Sequence, residues 1–352
     1  MTQLDNLHYS LRTILGYNMP FNFVISEREA GKSTAIWLYI YSKWKRTQAT
    51  AIVLRRKVVH ITKTYIEDIS KIINKFYDDK VKFEYSLSTM KDGLVDISIN
   101  GIPFIRVIGL SVDATVFKSL FFPKLETILF DEFICNQRLG EKYLKNEAFK
   151  FKELYNTFQR ESHNLKCFFF GNPYSLYAPY FVDFGIKTSD LKRGKIIKGK
   201  NWVVECYEML PELKKKILEE NPLYQFDDSY TKYAFDGANI NDANIVINDS
   251  LPPNFQLYFV FGIEGKYIAI YRNQDFTNFD YQYHACFISQ ERVSKKRTIF
   301  VFDFNDLVDR TTLLSNEDRQ RFSRLKTSVR NRTIAFDSIE CYYLFEEIFY
   351  NL

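Results

Sequence analysis

The chain has 352 residues, of which 46% are hydrophobic and 17% aromatic, and its formal net charge at pH 7 is +5. This composition excludes a disordered chain, and the length favours about two folded domains. The amino terminus lacks a signal-peptide pattern, and the most apolar run, Phe255–Ile263, is too short to cross a bilayer. We therefore expect an intracellular protein without membrane contact, whose mild basicity is compatible with nucleic-acid binding. The scattered cysteines and isolated histidines predict neither a disulfide framework nor a zinc site.

The first predicted strand, Phe21–Ile25, runs into the loop sequence SEREAGKS and then into a helical pattern over 33–44. This context is typical of a P-loop, in which backbone N–H groups cradle phosphates at a helix N-terminus. Lys32 is expected to reach the β- and γ-phosphates of ATP, and the Ser33 hydroxyl is expected to ligate Mg²⁺. The predicted nucleotide-binding residues are Ser26, Glu27, Arg28, Glu29, Ala30, Gly31, Lys32, Ser33 and Thr34.

One loop position departs from the usual pattern, because Ser26 stands where the first glycine is expected. The turn is tight and can require a positive φ, so we expect strain at this serine. Two acidic residues, Glu27 and Glu29, are unfavourable beside a triphosphate unless they point away from it. A further hypothesis is that, in an empty site, both pair with Arg160 or Lys118 of a neighbouring subunit until ATP displaces them.

Strands and helical patterns alternate over 1–209, which predicts an α/β domain with a parallel sheet. Further strands are predicted at 51–54, 102–108, 127–130 and 166–170, and further helices at 61–76 and 141–160. The Asn100–Gly101 pair predicts a hairpin turn before one of these strands. Arg55 and Arg56 follow the 51–54 strand at the edge where α/β sheets bind ligands. They are expected to contact the nucleotide or an adjacent subunit, or simply to form a charged strand end.

The run LETILFDE at 125–132 is an apolar strand that ends in two acids. A buried parallel strand with an acid at its C-terminal end is typical of a Walker B motif. Asp131 is expected to hold Mg²⁺, and Glu132 to activate the attacking water as a general base, which suits a hydrolase better than a kinase. Together, the two motifs argue against a chance Gly-Lys-Ser sequence in an ordinary strand–turn–helix.

The pattern changes after residue 209. The polar stretch 210–242, with one helical piece, predicts a linker or connecting subdomain, and 243–352 predicts a smaller α+β domain. Its strands are predicted at 255–263, 267–271 and 298–302, and its helices at 316–329 and 338–350. Its aspartates Asp275, Asp280, Asp303 and Asp306 make no convincing two-metal nuclease site. Basic residues interleaved with aromatics between 292 and 332 are expected either to hold phosphate backbones or to form a solvated face.

Several of these motifs, in this order, resemble the DNA-packaging motor ATPases of phi29-like bacteriophages. The sequence TILFDEFI is followed by a helix ending in TFQR at 157–160, by an apolar strand into Gly171 and Asn172, and by APYF at 178–181. The resemblance covers most of the first predicted domain and extends more thinly into the linker. It implies an ASCE-type P-loop ATPase domain, related to terminase large subunits, and a C-terminal domain similar to a degenerate RNase H-like nuclease.

The resemblance also implies partners and further site residues. It implies a homomeric ring, a pentamer, that binds double-stranded DNA at the procapsid portal in the host cytoplasm, with a packaging RNA in the phi29 group and no place in the mature virion. Arg160 matches a trans-acting arginine finger, Lys118 a second trans-acting basic residue, and Asn172 a γ-phosphate sensor. The competing interpretations are a helix-end cation, a solvated loop lysine and an ordinary turn residue.

Two other functions stay open at this stage. The chain could be a P-loop kinase or switch, although it lacks the N-K-x-D guanine-reading sequence and Glu132 favours water activation. It could instead be a nucleic-acid-binding scaffold in which the nucleotide only controls assembly, and the missing first glycine supports that alternative.

Overall fold

The computed structural model contains two compact units, residues 1–238 and 239–352. It describes residues 7–350 apart from these: 87–92, 114–120, 137–138, 161, 163, 175–177, 227, 232–233, 236–245, 264, 274–280, 294–296, 302–305, 316, 319–321, 323–324, 326, 330 and 332.

The first unit is built on an eight-stranded, mostly parallel sheet. Its strands are β1 (Phe21–Ile25), β2 (Thr50–Arg55), β3 (Leu94–Ile99), β4 (Ile102–Gly109), β5 (Leu125–Asp131), β6 (Lys166–Gly171), β7 (Lys195–Lys198) and β8 (Trp202–Cys206). They lie in the order β3-β4-β2-β5-β6-β1-β8-β7, and only β3 and β7, at the two edges, are antiparallel to their neighbours. The additional strand β6 therefore separates the P-loop strand β1 from the Walker B strand β5, as expected for an ASCE-type sheet.

Helices cover both faces of this sheet. The helices of this unit are α1 (Arg12–Gly16), α2 (Lys32–Thr47), α3 (Lys63–Phe76), α4 (Glu147–Gln159), α5 (Pro179–Phe184), α6 (Pro211–Glu220), α7 (Pro222–Phe226) and α8 (Asp228–Thr231). The last three form a separate apolar cluster with Ala30 of the P-loop. Successive residues of one strand enter opposite cores: Val24 packs with α2 and α3, whereas Phe23 packs with α4 and α5. Because both faces are buried, the strands are nearly continuous apolar runs, which explains why they could be recognised in the sequence.

All five strands predicted for the first domain are confirmed, and so is the hairpin. Asn100 and Gly101 both have positive φ, 50° and 73°, as a tight two-residue turn requires. The helix predicted over 141–160 is wrong at its start. Asn146 has a left-handed φ of 55°, so the helix begins only at Glu147.

The second unit contains a seven-stranded sheet and a C-terminal helix, α9 (Ile339–Tyr350). The strands are β9 (Val246–Ile247), β10 (Phe255–Ile263), β11 (Lys266–Asn273), β12 (Tyr283–Phe287), β13 (Ile299–Val301), β14 (Thr311–Leu313) and β15 (Ile334–Phe336). Strands β10, β11 and β12 form an antiparallel meander, and β13 and β14 add in parallel beside β10. This is the strand order of an RNase H-like domain.

Several predictions for the second unit fall on undescribed residues. Asp275, Asp280, Asp303 and part of the 316–329 helix lie outside the described residues, as do Lys295, Lys296 and most of the later arginines. Within the described part of the chain, no three acidic, histidine or cysteine side chains are grouped so that they could hold a metal. Nor does any described helix have the length and apolar character needed to cross a membrane.

Candidate nucleotide-binding site

A cleft of about 360 Å³ opens at the carboxyl ends of β1, β5 and β6. It is lined by His8, Arg28, Glu29, Ala30, Gly31, Lys32, Ser33, Thr34, Asp131, Glu132, Phe170, Gly171 and Asn172. The fold thus brings both predicted motifs into one cleft, although about a hundred residues separate them. The carboxyl edge of a parallel sheet is where α/β proteins bind ligands.

The P-loop turns into α2 at Gly31, which has a φ of 92°. A β-carbon on this residue would lie only 3.1 Å from the Cβ of His8. The backbone N–H of the next residue, Tyr9, donates to the Ala30 carbonyl at 2.8 Å and fixes this arrangement. Glycine is therefore required here both by its backbone conformation and by the close approach of the amino-terminal segment.

Lys32 lies at the floor of the loop, and its Nζ is within hydrogen-bond distance of four oxygen atoms. Its Nζ is 2.7 Å from Ser26 Oγ, 2.9 Å from the Ser26 carbonyl, 3.0 Å from the Glu27 carbonyl and 3.0 Å from Asn172 Oδ1. Burial lowers the pKa of Lys32 to about 7, against the opposing effect of Asp131. The amine is held by neutral acceptors that a triphosphate can replace.

Ser26 does not adopt the strained backbone expected for it. Its φ is not positive, whereas Glu29 and Gly31 carry the left-handed conformations, with φ values of 61° and 92°. The prediction of strain at Ser26 is therefore wrong. The serine side chain instead accepts from Lys32 and donates to the Glu27 carbonyl at 3.1 Å, and neither Ser26 nor Glu27 lines the cleft.

The Walker B acids lie where β5 ends. Burial raises the pKa of Asp131 to about 6, while the nearby Arg55 acts in the opposite direction. Glu132 has a left-handed φ of 60°, and its side chain is 53% exposed. Its carboxylate is thus accessible to solvent in the cleft, as the role of a general base for water requires.

Arg55 connects the two acids. Its Nη2 donates to Glu132 Oε2 at 2.8 Å, and its Nη1 lies 3.5 Å from Asp131 Oδ2. The guanidinium carbon lies 4.7 Å from the ring centroid of Tyr65 on α3, so Arg55 also makes a cation–π contact. Arg55 is therefore more than a charged strand end. Arg56, the next residue, turns into the core.

The acids of the P-loop contact their own chain. Glu27 is 4% exposed; its Oε2 accepts from the Met209 backbone N–H at 3.3 Å, and its Oε1 lies 3.6 Å from Arg193 Nη1. Glu29 Oε1 accepts from the Tyr224 hydroxyl at 2.7 Å. The expectation that Glu27 points away from a nucleotide is met. Its burial and its contacts within its own chain argue against the hypothesis that Glu27 pairs with a neighbouring subunit, whereas Glu29 lines the cleft.

Of the two residues predicted to act in trans, Arg160 does not line this cleft, and Lys118 is not among the described residues. Arg160 is exposed at the C-terminal end of α4. Two residues later, the Ser162 hydroxyl donates to the carbonyl of Leu125, at the start of β5, so Arg160 lies near the sheet edge opposite the cleft. Lys118 lies outside the described residues.

Asn172 follows β6 and contacts the P-loop lysine, as described above, and its Nδ2 donates to the Tyr174 hydroxyl at 2.9 Å. Arg28 Nε donates to the same hydroxyl at 2.7 Å. The predicted sensor position is thus joined to the P-loop by hydrogen bonds to Lys32 and, through Tyr174, to Arg28. His8 and Tyr174 were not predicted, because no local motif marks them and only the fold brings them to the loop.

The oxygen donors in the cleft fit a magnesium ion. The Ser33 hydroxyl and the Asp131 carboxylate are hard ligands on the walls of one cleft. Mg²⁺ prefers such ligands, usually one or two from the protein together with water and phosphate oxygens.

Comparisons with known proteins identify the family and similar folds. The family model described as podovirus DNA encapsidation protein (Gp16) matches residues 4–352. The DNA packaging protein of Bacillus phage B103 is 24% identical over 334 residues, which cover 92% of this chain and 95% of that protein. A chain of the bacteriophage phi29 genome packaging motor assembly aligns with a TM-score of 0.67 and 20% identity, over 98% of this chain and 99% of its own. A chain of the Phi-28 gp11 DNA packaging motor aligns with a TM-score of 0.70 and 14% identity, over 99% and 98% of the two chains.

Proposed function

The chain belongs to the podovirus DNA encapsidation protein (Gp16) family, and on this premise we propose that it is an ATPase that drives double-stranded viral DNA into a procapsid. The proposal rests on one observation: Lys32, Asp131 and Glu132 line the same cleft, at the N-terminus of α2. A phosphate-binding loop next to a buried acid and an exposed acid is the arrangement that ATP hydrolysis requires.

ATP binding begins with the loop. The first backbone N–H groups of α2 face the cleft, and the triphosphate takes the place of the neutral acceptors around Lys32 Nζ. Ser33 and Asp131 would hold Mg²⁺, which neutralises charge on the β- and γ-phosphate oxygens when bound. Asn172, already bonded to Lys32, is placed to respond when that lysine moves toward a γ-phosphate.

Hydrolysis then depends on Glu132. Its carboxylate orients a water molecule and takes a proton from it as the water attacks the γ-phosphorus. Arg55 occupies one of its oxygens, so Glu132 takes the proton on its other oxygen or after this contact loosens. Arg55 therefore influences when the base becomes available.

A neighbouring subunit completes the site. We assign Arg160 as the residue that stabilises transition-state charge at the adjacent subunit, and Lys118 as a second basic contribution in trans. Two observations support this role for Arg160: it is exposed, and it lies near the sheet edge opposite its own cleft. Such a contact in trans requires at least two adjacent subunits, and we propose that the subunits form a closed ring, a pentamer.

The partners follow from family membership. The B103 relative is a DNA packaging protein, and the two aligned structures belong to packaging motors. We propose that the ring acts in the host cytoplasm at the procapsid portal, alongside a packaging RNA. The second unit then holds DNA through its phosphates without cutting it, so binding is independent of sequence and weakens steeply with salt.

A packaging assay tests this function. The full chain is mixed with procapsids, genome-length DNA, the other motor components and ATP, and the DNA that becomes protected from nuclease is measured. Lys32→Ala and Glu132→Gln should abolish protection, whereas the control Lys71→Ala, at an exposed lysine on α3, should leave it unchanged. Equal protection with all three variants would refute the proposal.

A further inference from the structure

Arg56 and Glu147 form a buried ion pair beside the Walker B loop. Their exposures are 3% and 1%, and Arg56 Nε lies 2.9 and 3.2 Å from the two carboxylate oxygens of Glu147. Neither residue lines the nucleotide cleft. Burying two charges costs solvation free energy that their attraction often only offsets, so such a pair is weak evidence for a stabilising role.

The other side of the same guanidinium holds the turn that carries the general base. Arg56 Nη1 donates to the carbonyl of Glu132 at 3.0 Å, and Nη2 donates to the carbonyl of Phe133 at 2.7 Å. Glu132 has a φ of 60°, a conformation that residues other than glycine adopt only where the surroundings enforce it. Two consecutive carbonyls are therefore fixed by one planar group.

The ion pair is itself held by elements outside the cleft. Glu147 begins α4, and its carboxylate also accepts from the Tyr180 hydroxyl at 3.0 Å and from the Leu144 backbone N–H at 2.8 Å. The Arg56 guanidinium lies 5.0 Å from the ring centroid of Tyr143. The carboxylate can thus orient the arginine rigidly, and the arginine can orient the backbone of Glu132.

We propose that Arg56 is a positioning residue for ATP hydrolysis, which holds the backbone of Glu132 so that its carboxylate projects into the cleft. The inference rests on the proposed ATPase function and adds a residue that touches neither nucleotide nor metal. Misplacing a catalytic group by about 1 Å can reduce a rate by roughly 10²-fold, so a rigid backbone at Glu132 has a direct effect on turnover.

The substitution Arg56→Lys tests the proposal because it keeps the charge but removes the planar fork. A lysine can pair with Glu147, yet its single nitrogen cannot also hold both carbonyls in the same geometry. We expect kcat for ATP hydrolysis by the full chain with DNA to fall roughly 10- to 100-fold. The KM for ATP, the affinity for a fluorescent ATP analogue and the melting temperature should stay close to wild type.

Arg106→Lys is a matched control. Arg106 also forks between a carboxylate and a backbone carbonyl, with Nη2 donating to Asp96 at 2.7 Å and Nη1 to Phe121 at 3.0 Å. It does not line the cleft. This variant should keep the wild-type kcat.

A second variant, Glu147→Gln, covers the case in which Arg56→Lys does not fold. It keeps the size of the side chain but loosens the guanidinium, so kcat should fall less than in Arg56→Lys while KM is unchanged. The inference would be overturned if folded Arg56→Lys had the wild-type kcat. If Arg56→Lys does not fold, a wild-type kcat in Glu147→Gln would overturn it. A loss of kcat that only parallels a loss of folded protein would do the same. Absence of hydrolysis by the wild-type chain would instead refute the proposed function, and this inference with it.

Discussion

Arg55 at the end of β2 donates to the carboxylate of Glu132 at the end of the neighbouring strand β5, at 2.8 Å. The same guanidinium lies 3.5 Å from Asp131, so one cation contacts both acids on which hydrolysis is proposed to depend. The ion pair occupies one of the two carboxylate oxygens of Glu132. While this contact is made, the base is restrained.

Removing this restraint should raise hydrolysis in the absence of DNA. We expect Arg55→Gln to increase the DNA-independent rate roughly two- to fivefold, the effect of losing a part-exposed ion pair. The increase above the basal rate on adding DNA should shrink correspondingly. Steady-state phosphate release measures both rates, with Arg46→Gln at an exposed position of α2 as the control. A rate as low as that of Glu132→Gln would contradict the account and make Arg55 essential for turnover.

Ser26 should weaken nucleotide binding through its hydroxyl and not through backbone strain. Its Oγ accepts from Lys32 at 2.7 Å, a contact that competes with the triphosphate for the amine. Removing one competing hydrogen bond of ordinary net strength, about 0.5–1.5 kcal/mol, should tighten binding of an ATP analogue roughly 3- to 10-fold in both Ser26→Ala and Ser26→Gly. Fluorescence titration gives both dissociation constants. Tighter binding in the glycine variant alone would mean that strain, not the hydroxyl, is responsible.

Binding of ATP should take up a proton at mildly alkaline pH. Burial lowers the pKa of Lys32 to about 7 in the empty site, and a bound triphosphate raises it again by favouring the charged amine. At about pH 8 the empty protein has mostly neutral Lys32, so binding should take up close to one proton and weaken as the pH rises further. Asp131, with a pKa of about 6, is already ionised there.

Titration calorimetry in buffers of different ionisation enthalpy measures this uptake. The control is the Lys71→Ala variant, at an exposed lysine on α3 that does not line the cleft, which should take up the same number of protons as wild type. An affinity that does not vary between about pH 7 and 9, without proton uptake, would show that Lys32 stays charged in the empty site.

If Arg160 acts in trans, two inactive variants should restore activity when mixed. Arg160→Ala keeps an intact cleft but lacks the finger, whereas Lys32→Ala keeps the finger but lacks a working cleft. In a mixed ring, some interfaces join the intact cleft of one to the intact finger of the other, so part of the ATPase activity should return. Mixing Lys32→Ala with Glu132→Gln, which both damage the cleft, should restore none. Equal inactivity of both mixtures would place Arg160 outside the active site.

Local sequence patterns were sufficient to predict the P-loop and the two acids at the end of β5, which form the core of the site. Each of the two motifs is a contiguous segment: β1, the loop and α2 in one, and β5 with its terminal acids in the other. The apolar residues of each strand show where the strand begins and ends. Arg55 and Arg56 were more difficult to interpret because neighbouring residues turn to opposite sides: one reaches Asp131 and Glu132, and the other enters the core.

Contacts between distant segments could not be predicted. Glu27 is fixed by Met209 and Arg193, and Glu29 by Tyr224, which all follow the P-loop by more than a hundred residues. No periodicity or motif indicates which hydroxyl or backbone N–H will return to the loop. The predicted boundaries of the 210–242 linker stay predictions, but α6, which begins at Pro211, packs on the P-loop through Leu213, Ile217 and Ala30.

The central claim is that this cleft hydrolyses ATP in response to DNA. The most direct test is the steady-state rate of ATP hydrolysis by the full chain with and without long double-stranded DNA, in wild type, Lys32→Ala and Glu132→Gln. The account predicts a wild-type rate that DNA stimulates, and loss of that stimulated rate in both variants. Robust hydrolysis that ignores DNA, or a DNA-stimulated rate that survives in either variant, would contradict it.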